Sequence, residues 1–130
     1  SKEFISKARR FRKMLGGGMR QAGIIAAAAI YGLAHHRERL VEDHANARRF
    51  AEALHGQHGI AIDLATVQTN IVVIDIAQTK LGVAAACDAL KKEGVLVVPF
   101  GATTLRAVTH LDASAADIDR AITVFHKIFA

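Results

Sequence analysis

Two places in the sequence hold residues whose types and spacing suit chemistry. The first is "RKMLGGGMRQAG" (Arg12–Gly23), where three consecutive glycines lie between Lys13 and Arg20. A glycine backbone reaches φ > 0 and lets a ligand approach closely, and a helix N-terminus with free N–H groups attracts phosphate. Lys13 and Arg20 would add charge-assisted bonds to such an anion. A plain hinge between two helices accounts for the same residues, and the motif is neither a G-x-x-x-x-G-K-[ST] loop nor a G-x-G-x-x-G turn after a strand. The second place is Arg106, inside the alternating "LRAVTHLD" (Leu105–Asp112). An arginine in an apolar strand is costly unless an anion meets it. A substrate carboxylate held bidentately would do so; an internal salt bridge would do so equally.

Other chemistries find little support. Among the seven histidines the closest pairs, His35–His36 and His55–His58, sit at expected helix ends without carboxylates at ligand spacing. With one cysteine in the chain, no metal site is expected. There is no G-x-S-x-G elbow, and no Cys/His arrangement stands out for nucleophilic catalysis, so no catalytic residue is assigned. His44 falls on an apolar helix face, where a hydrogen-bonded core histidine is expected. Cys87 reads as a small core residue.

These residues must be positioned by a chain of 130 residues, 52% hydrophobic and 22% charged with one proline, a composition that suits one globular domain. A lone cysteine rules out an internal disulfide and suits a reducing cytoplasm. No signal peptide is apparent, and the longest uncharged apolar stretch, Gln21–Ala34, falls short of the ~18 residues of a membrane span. A cytoplasmic protein is therefore expected. Residues 1–20 hold seven basic residues against Glu3 alone, while the remainder is close to neutral. Such a cluster suits nucleic acid, a phosphorylated ligand, an acidic partner or a solvated helix face. Few exposed-looking aromatics and no docking motif argue against nucleic acid.

Apolar spacing predicts a basic helix over residues 2–14 and, after the glycines, a second helix over 19–35 that is apolar nearly all the way round. A third helix is expected over 37–55, with Leu40, Ala47, Ala51 and Leu54 on one face. The second half alternates differently: a buried strand over 70–77, a helix over 79–94, a strand over 95–100, a strand over 105–112, and a last helix to Phe129 opened by the capping box "SAAD" (Ser114–Asp117). Ile60–Leu64 is a candidate for a further short strand. The fold class read from this order is α+β: a small, mainly antiparallel sheet backed by helices and preceded by long interface helices. The division expected is 1–36 (basic helix, glycine loop, apolar helix) and 37–130 (α+β domain). A helix as evenly apolar as Ala22–Leu33 needs cover that so small a domain scarcely supplies, so a partner surface is expected from another subunit or from other parts of the same protein.

Taken together, "RKMLGGGMRQAG", the alanine-rich helix after it, "RLVEDHANARRFAEAL" (Arg39–Leu54), "TN" (Thr69–Asn70) and "RAVTHLD" (Arg106–Asp112) resemble the C-terminal part of low-specificity threonine aldolases. These are members of the beta-eliminating lyase and threonine aldolase family, pyridoxal-phosphate enzymes of the aspartate-aminotransferase fold type. The resemblance covers essentially the whole chain. It implies a lyase splitting threonine or allo-threonine into glycine and acetaldehyde, usually as a homotetramer. It implies that Lys13 and Arg20 approach the cofactor, at its phosphate, from a neighbouring subunit, and that Arg106 binds the substrate α-carboxylate. The family's Schiff-base lysine belongs to an "S-K-G" motif upstream of the basic helix, whereas here Glu3 follows Ser1–Lys2. The resemblance therefore implies an N-terminal cofactor domain outside this chain, homo-oligomer partners, and no competent aldolase from these residues alone. A non-catalytic interaction domain with the same fold is the alternative.

Overall fold

The computed structural model describes residues 1–130. They form two compact units, Ser1–Arg37 and Glu38–Ala130.

In the first unit, α1 (Lys2–Met14) starts where the Ser1 hydroxyl accepts the Phe4 N–H at 3.2 Å, and Glu3 pairs with Lys7 one turn on. It ends because Gly16 enters the left-handed region at φ +81°. That turn lets the Gly16 N–H reach the Lys13 carbonyl and the Gly17 N–H reach the Arg12 carbonyl, closing two otherwise orphaned acceptors. A side chain at Gly16 would have to adopt the same strained φ. The second helix, α2 (Ala22–His35), begins three residues later than the sequence pattern predicts. Gln21, at φ 52°, turns the chain immediately before it. No residue of α1 or α2 is buried.

The second unit contains α3 (Leu40–Leu54), β1 (Ile71–Asp75), α4 (Val83–Lys92), β2 (Val98–Pro99), β3 (Thr104–Val108) and α5 (Ala115–Phe129). The strands form one antiparallel sheet in the order β1-β3-β2, which the three helices back, an α+β arrangement. Val72, Ile74 and Leu105 point from the sheet into the core. Ala47, Phe50, Ala51 and Leu54 meet them from α3, Ala86 and Leu90 from α4, and Ile118, Val124, Phe125 and Phe129 from α5. Phe125 meets Phe50 edge-to-face at 5.2 Å and stacks on Phe129. The capping box at Ser114 forms in both directions. The Ser114 hydroxyl and backbone N–H hold the Asp117 carboxyl below the usual carboxylate range.

Several expectations are corrected. The buried stripe of α3 runs through Asp43, Ala47, Phe50, Ala51 and Leu54; Leu40 at the start of the helix and His44 at the edge of the stripe are exposed. Residues 60–64 make a single bridge, Ala61 to Asp75, rather than a strand. Only Val98–Pro99 of the stretch 95–100 forms a strand, at the sheet edge, where the N–H that Pro99 lacks is not needed. Val95 and Val97 still pack on the core. β1 is fully buried on one face only, although its near-continuous apolarity predicts cover on both. Cys87 is half-buried against the core, as the sequence suggests; burial first, and Asp88 second, push its thiol up. No helix is long and apolar enough to cross a membrane.

Candidate functional site

The site in the second unit lies on the sheet face turned away from the core. The register pairs Ile71 with Val108, Val73 with Arg106 and Asp75 with Thr104, and pairs Val98 with Arg106 on the other side. Directly paired residues share a face, so Arg106 sits in the middle of β3 between two valines. Around it lie Ile71, Val98, Phe100 and Val108, each between 43% and 58% exposed, so the face is apolar and open.

Arg106 is half-buried, its Nε is buried without a hydrogen-bond partner, and it takes part in no ion pair of the chain. The nearest acidic neighbour by register, Asp75, has a carboxylate that accepts the Ala77 N–H at 2.8 Å. Of the two sequence readings of Arg106, the salt bridge is not formed within this chain. The guanidinium lies over the Phe100 ring, whose centroid is 5.7 Å from Cζ. A cation on an apolar, half-open face with no counter-charge is an anion-binding arrangement.

The residues flanking Arg106 serve a different purpose. The Thr109 hydroxyl donates to the Asp43 carbonyl at 2.7 Å, tying the end of β3 to α3. Thr109 and Asn70 exchange bonds across the strands: the Thr109 N–H donates to the Asn70 carbonyl at 2.9 Å, and the Asn70 amide donates to the Thr109 carbonyl at 2.8 Å. Asn46 adds a bond to the Ala113 carbonyl. The "TN" and "RAVTHLD" motifs thus form one clamp that fixes β3, and with it the strand position of Arg106. A cavity of about 310 Å³, lined in part by Val95, Val97, Ala107, His110 and Ile118, also opens in this unit; Arg106 does not line it.

In the first unit the glycine loop uses its own donors. The N–H groups of Gly16, Gly17 and Gly18 go to the carbonyls of Lys13, Arg12 and Gly16. The glycines therefore act as a helix cap and turn, not as a cradle of free N–H groups. The donors left over in this segment are the side chains and the start of the helix that follows. Lys13 and Arg20 are exposed and enter no ion pair, and α2 begins without a side-chain cap at Gln21. Lys13 and Arg20 belong to the first unit and Arg106 to the second.

Two contributors escape the sequence reading. Asp43 is buried and offers its carbonyl to Thr109. The i, i+4, i+7, i+8, i+11 spacing from Asp43 through Leu54 carries that signal. Phe100 reads as a strand terminus until the register brings it diagonally across from Arg106.

Comparison with known proteins gives the family to which these two units belong. Residues 1–77 match the family model described as beta-eliminating lyase, and the chain belongs to that family. It is 42% identical over 130 residues to a probable low-specificity L-threonine aldolase 2 of Arabidopsis thaliana, a match covering 99% of this chain and 37% of that protein. It is 40% identical over 114 residues to the low specificity L-threonine aldolase of Escherichia coli, covering 88% of this chain and 32% of that protein. It is 30% identical over 135 residues to the alanine racemase TOXG of Cochliobolus carbonum, covering 98% and 33%. The chain thus spans about a third of the length of the curated relatives it matches.

Proposed function

We propose that the chain is the C-terminal part of a pyridoxal-phosphate-dependent aldehyde-lyase that cleaves L-threonine or L-allo-threonine to glycine and acetaldehyde. The observation that carries this reading is the unpaired guanidinium of Arg106 on an open apolar face, within the motif shared with threonine aldolases. When bound, pyridoxal phosphate supplies an electron sink for breaking the Cα–Cβ bond.

The residues of this chain supply anchoring. Arg106 presents a planar donor edge that matches an amino acid's α-carboxylate, and the low polarity around it strengthens that pair. Lys13, Arg20 and the uncapped start of α2 suit the cofactor phosphate, a multiply charged anion that these donors are otherwise without. None of the chain's lysines lies in an S-K-G context, and the 130 residues are proposed to be inactive alone. The unburied helix α2 is proposed to pack against the cofactor domain and a second subunit. An interaction domain without catalysis is the reading left if the complete protein has no such activity.

The test is made on the complete protein. Acetaldehyde release from L-allo-threonine and L-threonine is expected, and inversion of alanine without aldol cleavage would reverse the choice of reaction. Replacing Arg106 by Ala removes a charged hydrogen-bond pair, so KM for the amino acid is expected to rise roughly 10- to 100-fold. An unchanged KM would remove the carboxylate role.

A further inference from the structure

We propose that Phe100 is a positioning residue that holds the Arg106 guanidinium in place for an incoming carboxylate; this rests on the carboxylate role proposed for Arg106. An arginine on an open face has a long stem and several rotamers, and ordering it costs entropy. A hydrogen bond from Nε to a carboxylate or carbonyl would order it, but the Arg106 Nε has no partner of either kind. Asp75, the carboxylate closest in register, turns its oxygen to the Ala77 N–H instead. The contact that remains is the ring of Phe100, with its centroid 5.7 Å from Cζ. That distance lies within the range of a cation–π attraction.

The backbone that carries the ring is held by the hairpin. Phe100 pairs with Thr104, its N–H donating to the Thr104 carbonyl at 2.9 Å, and Gly101 donates to the same oxygen. A Cβ on Gly101 would stand 2.6 Å from the Thr104 hydroxyl, which would have to shift to admit a side chain there. With Val98 paired to Arg106, Phe100 is the diagonal neighbour two residues along on the same face, within reach of long side chains. An aromatic orienter differs in kind from an acidic one. A carboxylate at Nε would partly neutralise the cation and compete with the substrate. A ring fixes the guanidinium plane, leaves the full charge, and occupies no N–H.

The test compares Phe100→Leu, which keeps apolar bulk without the π face, with Phe100→Tyr, which keeps the ring, both in the complete protein. Phe100→Leu is expected to raise KM for the amino acid roughly 2- to 5-fold, with kcat within twofold, and Phe100→Tyr to restore the original KM. In an Arg106→Ala background, Phe100→Leu is expected to have no further effect on KM. The Arg106 Nε–H proton resonance of the chain is expected to move downfield in Phe100→Leu as the ring current is lost. A rise in KM for Arg106→Ala with none for Phe100→Leu would overturn the role of Phe100 and leave that of Arg106. An equal rise from Phe100→Leu in both backgrounds would show that Phe100 acts independently of the arginine and overturn the proposal. An unchanged KM in Arg106→Ala would remove the carboxylate role itself.

Discussion

Helices α2 and α5 are nearly equal in length, 14 and 15 residues, and both are rich in apolar side chains. α5 buries Ile118, Val124, Phe125 and Phe129, whereas α2 buries nothing and leaves Ile24 78% and Leu33 70% exposed. α2 is the more hydrophobic of the two by composition, so hydrophobicity does not decide the difference. Its distribution does. In α5 the charged residues Asp117, Asp119, Arg120 and Lys127 leave an apolar stripe free, and α3 and α4 cover it. Ala22–Leu33 has no polar side, and a helix of that kind needs neighbours all round. The second unit closes its own core; the first presents apolar surface that its own residues do not cover.

The contrast is broken most directly at the core. Phe125 is fully buried between Phe50 and Phe129. Phe125→Ala removes a ring from a packed interior and is expected to cost about 3–5 kcal/mol, a large share of the roughly 5–15 kcal/mol that holds a domain together. Urea denaturation of the chain followed by far-ultraviolet circular dichroism measures it. A loss below about 1 kcal/mol would mean that the second unit does not depend on this core.

A smaller effect is expected at the clamp. Thr109→Val keeps the shape of a buried side chain but takes away the hydroxyl that donates to the Asp43 carbonyl. The expected cost is about 0.5–1.5 kcal/mol, because one hydrogen bond is lost while the Asp43 carbonyl keeps its place in the α3 ladder. The same urea titration measures it, with an unchanged slope. An unaltered midpoint would mean that the Asn70–Thr109 bonds alone hold the end of β3.

These features differ in how far the sequence exposes them, and the reason is range. α1 is legible to the residue, because the Ser1 cap, the apolar spacing and the glycines after Leu15 all act within a few positions. The Ser114 capping box is legible for the same reason. Arg106 stands out as a charge among apolar neighbours, but that its salt bridge is absent depends on residues 30 positions away on β1. The Phe100 contact depends on the hairpin register, which sets Val98 opposite Arg106. His44 lies at the edge of the α3 stripe, and which edge is covered is set by packing against β1 and α5, which buries Asp43 and Phe50 instead. The truncation of β2 is likewise a sheet-level outcome: its valines keep their alternation while the ladder ends.

The smallest expected effect sharpens the contrast furthest. Ile24→Ala shortens a side chain that is 78% exposed, so the chain on its own is expected to change in stability by less than about 0.5 kcal/mol. Alanine's better helix propensity opposes even that loss. In the complete protein, where α2 is proposed to be covered, the same substitution removes buried methylenes, and a cost of about 2–5 kcal/mol is expected from a leucine-sized truncation. Urea titrations of the chain and of the complete protein, each with its Ile24→Ala counterpart, measure the two values. A large loss in the chain alone would mean that Ile24 is covered within these 130 residues. A negligible loss in both would mean that the apolar surface of α2 is left open at this position. A difference between the two settings assigns the hydrophobicity of α2 to contacts made outside this chain, and locates them at its N-terminal end, next to Arg20.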